Sequence, residues 1–426
     1  MMWPCRALIH QNGGPGIDQL SPFSLTWSLG LMYKTAQADV MPKLAPDFGR
    51  AIYCVLGLPV DAVTPAQAVE HIANSIRERR RCFLVTPNMT FVTTSRIDLQ
   101  FWDSMLRSDL SIADGMPLVW VSRVLGLPIQ RVAGSNLFAS LIEGAAGTLT
   151  VFFFGGSEGT ARAACERINH LGGKMRCNGY HFPGFGSVDE MSNPSIFQKI
   201  NGAGADFLGA SISTKKGQLW IARNERRLVN PVVWYSGAAV NFAAGTVRRA
   251  PAILSRLGFE WLWRIMQESD LWRRYFVDMK TLLQLLTFRV IPCAIYQIVN
   301  RPSDTDLKTA RLEVLKGEMR HTLRLSGPWT ERNLNPLRDA FWRAAEELSD
   351  LVLDLEDVTY ADAAFLGLVM IAYGYQSRTG RGFSICAMSK EFCTILRLHA
   401  CEFLIAARRG SERYEDLPER DTSARS

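Results

Sequence analysis

Between Ala51 and Tyr235, short uninterrupted apolar runs alternate with amphipathic segments. Phe83–Val85, Leu110–Ala113, Leu149–Phe154, Asp206–Leu208 and Pro231–Tyr235 lack the polar alternation of a half-exposed strand. Each therefore reads as a strand covered on both faces. Between them lie helical patterns. Thr64-Pro65-Ala66 supplies a cap and a first-turn proline, with Ala68, Val69, Ile72 and Ile76 as the buried stripe. Further helices are predicted over Thr160–Leu171, after Gly155-Gly156, and over Gln218–Leu228, after Gly209. The alternation implies βαβ units and an α/β fold with a mostly parallel, Rossmann-like sheet. All five apolar runs end in small or polar clusters: Thr86-Pro87-Asn88, Asp114-Gly115, Gly155-Gly156-Ser157, Gly209-Ala210-Ser211 and Ser236-Gly237. Parallel strands would bring these clusters to one carboxyl edge, where open α/β sheets bind ligands.

The pattern changes after Gly245. The segment from there to about Val299 is helical, basic and rich in tryptophan. From Arg248 to Arg289 basic residues outnumber acidic ones eight to four. Leu254, Leu257, Trp261 and Ile265 share one helical face, while Trp263, Trp272, Tyr275 and Phe276 set aromatics beside arginines. This composition suits a helix lying in a membrane interface, against the plainer reading of a core helix with a solvated face. No run of about 18 uninterrupted apolar residues is present, and Thr281–Val299 is broken by Arg289 and Pro292, so a spanning helix is not expected. Arg301-Pro302-Ser303-Asp304 reads as a linker.

A third pattern runs to about Leu404. It predicts a strand pair near Leu312–Leu325 and a helix carrying Leu334, Leu337, Phe341 and Leu348. A strand Leu351–Leu355, a helix from Ala363, a strand Phe383–Met388 and a helix Lys390–Leu404 follow. This small α/β domain is of a size to fold alone. The predicted organisation is a disordered extension (1–48), a catalytic domain (49–250), a basic appendage (251–300), the small α/β domain (305–408) and a charged, disordered tail (409–426).

The chain has 426 residues, 47% of them hydrophobic and 21% charged, enough for two or three packed domains. A net charge of +7 permits an anionic partner such as a membrane surface or a nucleotide diphosphate. No nucleic-acid-binding module is evident. The nine cysteines (5, 54, 82, 165, 177, 293, 386, 393, 401) are scattered without a CxxC pair, which fits a reducing cytosol better than a disulfide framework or a zinc site.

Asp114 is the strongest general-base candidate, because it follows a buried strand and precedes glycine. Burial would raise its pKa toward a useful value. An Asp-Gly turn is the plain alternative. Thr86 and Asn88 flank a proline that fixes the turn, leaving a hydroxyl and a carboxamide for sugar hydroxyls, or an Asx-type turn. Gly155 and Gly156 precede a helix whose N-terminus can hold a diphosphate. Lys215-Lys216-Gly217-Gln218 reads as a loop before a helix, with either lysine able to neutralise a leaving diphosphate. Arg131 is a phosphate partner or a surface charge. Arg248 and Arg249 precede Ala250-Pro251 and are placed to close over an anionic ligand.

Together and in order, these motifs resemble the WecG/TagA/CpsF family of bacterial glycosyltransferases. The resemblance covers roughly Ala51–Lys280. It rests on Thr86-Pro87-Asn88, Ala113-Asp114-Gly115-Met116-Pro117, Arg131-Val132-Ala133-Gly134, Phe154-Gly155-Gly156 and Lys216-Gly217-Gln218-Leu219-Trp220-Ile221. Gly245–Pro251 and Gly258–Arg264 complete the series. It implies inverting transfer of an N-acetylmannosamine-like or other hexose from a UDP-sugar to a polyprenyl-diphosphate-linked saccharide at the inner face of the cytoplasmic membrane. No cofactor is called for and no metal ligand set is evident. By motif, Asp114 corresponds to the general base, Thr86 and Asn88 to residues that position the donor sugar, and Arg131, Arg256 and Arg264 to partners of diphosphate groups. Gly209–Lys216 and Val240-Asn241-Phe242 resemble the exopolysaccharide branch.

The third region resembles a STAS domain through Leu353-Asp354-Leu355, Val358-Thr359-Tyr360-Ala361-Asp362 and Phe365-Leu366-Gly367-Leu368. Ala363 stands where signalling members carry a phosphorylated serine, so docking to a protein partner or to the enzyme itself is expected instead. The leading expectation is a membrane-associated glycosyltransferase of envelope-polymer synthesis. A decayed transferase serving as a scaffold beside the STAS domain is the alternative. A nicotinamide-dependent oxidoreductase would need an acidic ribose partner that the sequence lacks.

Overall fold

A computed structural model describes residues 41–157, 159–237, 239–246, 260–267 and 271–405. The expectations for residues 1–40 and 406–426 lie outside these. The first described elements are a hairpin, β1 (Ile52–Val55) and β2 (Leu58–Asp61), turned by Leu56 and Gly57, both at positive φ. Helix α1 (Pro65–Arg77) begins at Thr64 with a reciprocal capping box to Gln67. There follow β3 (Cys82–Val85), α2 (Met89–Ser95), α3 (Leu99–Leu106), β4 (Leu110–Ser111), α4 (Met116–Val124) and α5 (Gly134–Ile142). Next are β5 (Leu149–Gly155), α6 (Thr160–Leu171), β6 (Met175–His181), α7 (Pro194–Gly202), β7 (Phe207–Ser211), α8 (Thr214–Asn224), β8 (Val232–Tyr235) and α9 (Ala239–Ala244).

β3 to β8 form one six-stranded sheet, every pair parallel, in the order β4-β3-β8-β7-β5-β6. All five predicted strands are present. The sixth, β6, was not foreseen: it is an edge strand of alternating burial, and its Gly179 faces Phe152, whose ring an added Cβ would meet at 2.9 Å. Cys165 on α6 and Cys177 on β6 form a disulfide, against the expectation of unpaired thiols. The α6–β6 reversal sets their Cα atoms 5.1 Å apart.

Helix α10 (Glu260–Gln267) and the 30-residue helix α11 (Leu271–Asn300) make up the described appendage. Arg289 and Pro292 interrupt the apolar run but not the helix, which continues through both. Proline clashes with the carbonyl four residues back in a regular helix. Here a π-helical turn, Leu286–Val290, widens the helix just before Pro292 and lets it continue. α11 is long and apolar enough to cross a membrane by length and composition, and little of it is buried. Leu282, Leu285, Val290 and Cys293 pack into the protein, while Phe276, Leu283, Phe288, Ile291, Ile295 and Ile298 are exposed. Buried Asp278 accepts hydrogen bonds from Thr90 Oγ1 (2.7 Å) and Thr93 Oγ1 (2.8 Å) of α2.

The C-terminal elements are β9 (Arg311–Lys316), β10 (Arg320–Trp329), α12 (Asn335–Glu346), β11 (Asp350–Ala361), α13 (Ala363–Thr379), β12 (Phe383–Met388) and α14 (Lys390–Leu398). Their sheet runs β12-β11-β10-β9, with only the β9–β10 pair antiparallel. The elements match the expectation, but this region has no core of its own. Helix α13 buries 13 of its 17 residues, one side against its own sheet and the other against β1, β2 and α3. Residues of both regions belong to one hydrophobic cluster. The boundary at 48 also moves, because Phe48 is buried in edge contacts with Phe341, Trp342 and Tyr375.

Candidate active site

The sheet order divides the strand ends into two groups. β4, β3 and β8 are neighbours, and their carboxyl ends line one cavity of about 160 Å³ containing Thr86, Asn88, Asp114, Ser236 and Gly237. β7 and β5 are also neighbours. Gly155, Gly156, Ser211 and Lys216 line a second cavity of about 180 Å³.

Asp114 sits just past β4 and is half-buried. Its N–H donates to Pro87 O (3.1 Å), and its Oδ1 accepts from Gly134 N (2.8 Å) at the start of α5. Backbone from two other segments thus holds Asp114, and that of Gly134 contacts the carboxylate itself. Gly134 fits closely at this spot: an added Cβ would lie 3.0 Å from the Trp234 ring and 3.5 Å from the Thr86 methyl. Asn88 caps α2, its Oδ1 accepting from Thr90 N (3.1 Å). Thr86 is buried.

Arg131 donates through Nε to the backbone carbonyl of Asp114 (3.1 Å). It lines a larger, mainly apolar cavity of about 510 Å³, which runs from Asn88 and Asp114 under Trp120, Trp261, Trp272, Tyr275 and Phe276. Arg274 lines both this cavity and the Asp114 cavity. Sequence reasoning did not single out Arg274 or Trp234 as site residues. The available signal was the pair Arg274 and Asp278, oppositely charged positions four apart on one helix.

Gly155 and Gly156 both have φ +92°, and a Cβ on Gly155 would meet Ser211 O at 2.6 Å. They form the tight turn before α6 that the sequence suggested. Lys216 is exposed, its Nζ donating to Gly186 O (2.9 Å), whereas Lys215 pairs with Asp98 (2.5 Å). The loop expected before the helix is instead the first turns of α8, because Ser213 already stands at its N-cap. Gln218 consequently faces inward: it is fully buried, its Nε2 3.5 Å from Met105 Sδ, and it does not reach either cavity. Arg248, Arg249 and Arg256 lie outside the described residues. So does the Arg264 side chain, although its backbone belongs to α10. Among the described residues, no group of three His, Cys, Asp or Glu side chains is clustered as a metal site.

Comparison with known proteins shows the family of the chain. Residues 53–292, more than half of the chain, match the model of the glycosyl transferase WecG/TagA/CpsF family. The chain belongs to that family. This glycosyltransferase carries a second match, over residues 314–404, to the Mlab, STAS domain. Its similar curated proteins include N-acetylglucosaminyldiphosphoundecaprenol N-acetyl-beta-D-mannosaminyltransferases from two organisms. The one from Bacillus spizizenii is 24% identical over 209 residues, covering 48% of this chain and 79% of the relative. The one from Staphylococcus aureus strain MW2 is 23% identical over 224 residues, covering 52% and 85%. In the glycosyltransferase described here, both Asp114 and the glycine turn at β5 fall inside the family match.

Proposed function

We propose that the protein transfers a hexose, N-acetylmannosamine or a close analogue, from a UDP-sugar to a polyprenyl-diphosphate-linked saccharide during synthesis of an envelope polymer. One observation carries this reading: Asp114, aimed by Gly134 N–H, shares a cavity with Thr86 and Asn88, and an apolar cavity leads from it beneath the aromatic appendage. The relatives' activity on an undecaprenol-linked sugar supports the acceptor class.

In the proposed reaction the acceptor hydroxyl attacks the anomeric carbon from the face opposite UDP. The new C–O bond forms as the bond to the diphosphate oxygen breaks, inverting the configuration. The hydroxyl proton passes to Asp114, and UDP departs with the bonding pair. Thr86 and Asn88 hold sugar hydroxyls. Lys216 and the N-terminus of α6 offset the charge of the leaving group, and Arg131 and Arg274 that of the acceptor diphosphate. The exposed apolar face of α11, with Arg273, Lys280 and Arg289 on the same helix, lies flat on the inner surface of the cytoplasmic membrane and brings the site to its lipid acceptor.

The test is incubation of the full-length protein with a panel of UDP-sugars and a lipid-diphosphate-linked N-acetylglucosamine, beside Asp114→Ala. UDP release and product anomeric configuration are measured. No turnover with any donor would favour the scaffold alternative, and wild-type-like turnover in the variant would remove Asp114 as the base.

A further inference from the structure

The STAS region reaches the transferase sheet at the edge opposite the candidate site. Arg378, in the last turn of α13, is only 5% exposed. Its Nη1 donates to Asp109 Oδ1 (2.6 Å), and its Nε lies 3.1 Å from Glu225 Oε2. Asp109 immediately precedes β4. Its other carboxylate oxygen accepts from Phe83 N (2.7 Å), and its own N–H donates to Phe83 O (2.9 Å), so one residue clamps the start of β3 to the start of β4. Glu225 lies in the turn leading to β8. Arg81, just before β3, donates to the carbonyls of Glu225, Leu228 and Asn230 in that turn.

Arg378 therefore pins the amino ends of β3, β4 and β8. These are the three adjacent strands whose carboxyl ends carry Thr86, Asn88, Asp114 and Ser236. β4 is short, with only Leu110 and Ser111 paired to β3, so its ladder alone fixes it weakly. The helix is seated without slack: a Cβ on Gly374 would lie 1.8 Å from Leu106 O, and Arg107 Nη2 donates to Ser377 Oγ (2.9 Å).

We propose that Arg378 of the STAS region is a positioning residue for sugar transfer, setting from the amino edge the spacing of Asp114, Thr86 and Asn88 at the carboxyl edge. This rests on the assignment of those three residues to the reacting site. The STAS region is then a structural part of the transferase.

The test uses the full chain with Arg378→Met, Arg378→Lys and the charge-neutral pair Asp109→Asn/Arg378→Met. Arg378→Met is expected to lower kcat by about ten- to a hundredfold while the donor KM stays within about twofold. Arg378→Lys should restore kcat to within about threefold of wild type, because it keeps the charge between the two carboxylates. In Arg378→Met, amide hydrogen exchange should quicken at Asn88–Met89 and at Ala113–Gly115, the far ends of the strands. The neutral pair should regain the wild-type melting temperature but not its kcat. If kcat returns together with the melting temperature, or exchange quickens only before Leu110, Arg378 merely holds the fold together and the inference fails. Should the wild type transfer no sugar from any donor, the proposed function falls, while exchange at the two strand ends still decides the role of Arg378.

Discussion

Asp114 is held at its N–H by Pro87 O and at Oδ1 by Gly134 N, two contacts that an amide side chain can also make. Asp114→Asn can keep both contacts while losing the capacity to take a proton. On the proposed mechanism its kcat falls by about 10²- to 10⁴-fold with donor KM nearly unchanged, measured by steady-state UDP release. A parallel rise in KM would assign Asp114 to binding instead. Asp114, Thr86 and Asn88 were legible in the sequence because each sits at the end of a buried apolar run, where side chain and backbone turn outward together. Gln218 was not. Gly217 before it argued for a loop, yet that glycine lies inside α8 because a Cβ there would stand 2.6 Å from the Tyr235 ring. A glycine demanded by packing and a glycine demanded by a turn look the same in one sequence.

At the scale of elements, α11 shows what periodicity misses. Arg289 and Pro292 interrupt its apolar run, yet the helix runs through both, with a π turn at Leu286–Val290 just before the proline. If its exposed face meets lipid, the triple replacement Phe276→Ser, Phe288→Ser, Ile295→Ser lowers sedimentation with anionic liposomes at least about tenfold, since each apolar side chain contributes roughly 1–2 kcal/mol. Unchanged sedimentation would exclude this face as the membrane contact.

His399 reports on the junction behind α11. Its Nε2 lies 3.5 Å from Cys293 Sγ of α11, and its carbonyl receives Cys54 Sγ of β1. Burial holds its imidazole down to about 4, below the ordinary 6.5. The folded state thus keeps it neutral, and the unfolded chain takes up a proton below about pH 6.5. Stability from this group is full above that pH and is lost as pH falls toward 4, by up to about 3 kcal/mol. Denaturant melts from pH 7.5 to 4 should show that decline, and His399→Leu should flatten it. An equal slope in the variant would assign the decline to other groups.

At the scale of the whole molecule, the sequence separated two regions that the structure joins. Each alternates correctly by itself, and no local pattern says what covers the second side of α13. The helix does carry a trace: it is apolar nearly all round, which implies burial on both sides. A protease site placed at Arg301–Ser303 should therefore yield, on cleavage, two fragments that co-elute on size-exclusion chromatography without denaturant. Separation of the fragments would contradict the shared core.

The shared core also has a historical consequence. At Gly57, Gly367 and Gly374 an added Cβ would stand 2.2, 2.7 and 1.8 Å from a carbonyl oxygen across the junction. Any substitution at these three positions pushes the halves apart, so each must stay glycine while the halves remain in contact. Once contacts of this closeness accumulate, a descendant that shed the STAS region would expose the apolar faces of β1, β2 and α3 with no single change able to cover them. Fusion at this junction behaves as a ratchet, and lineages carrying these glycines are expected to keep both regions in one chain.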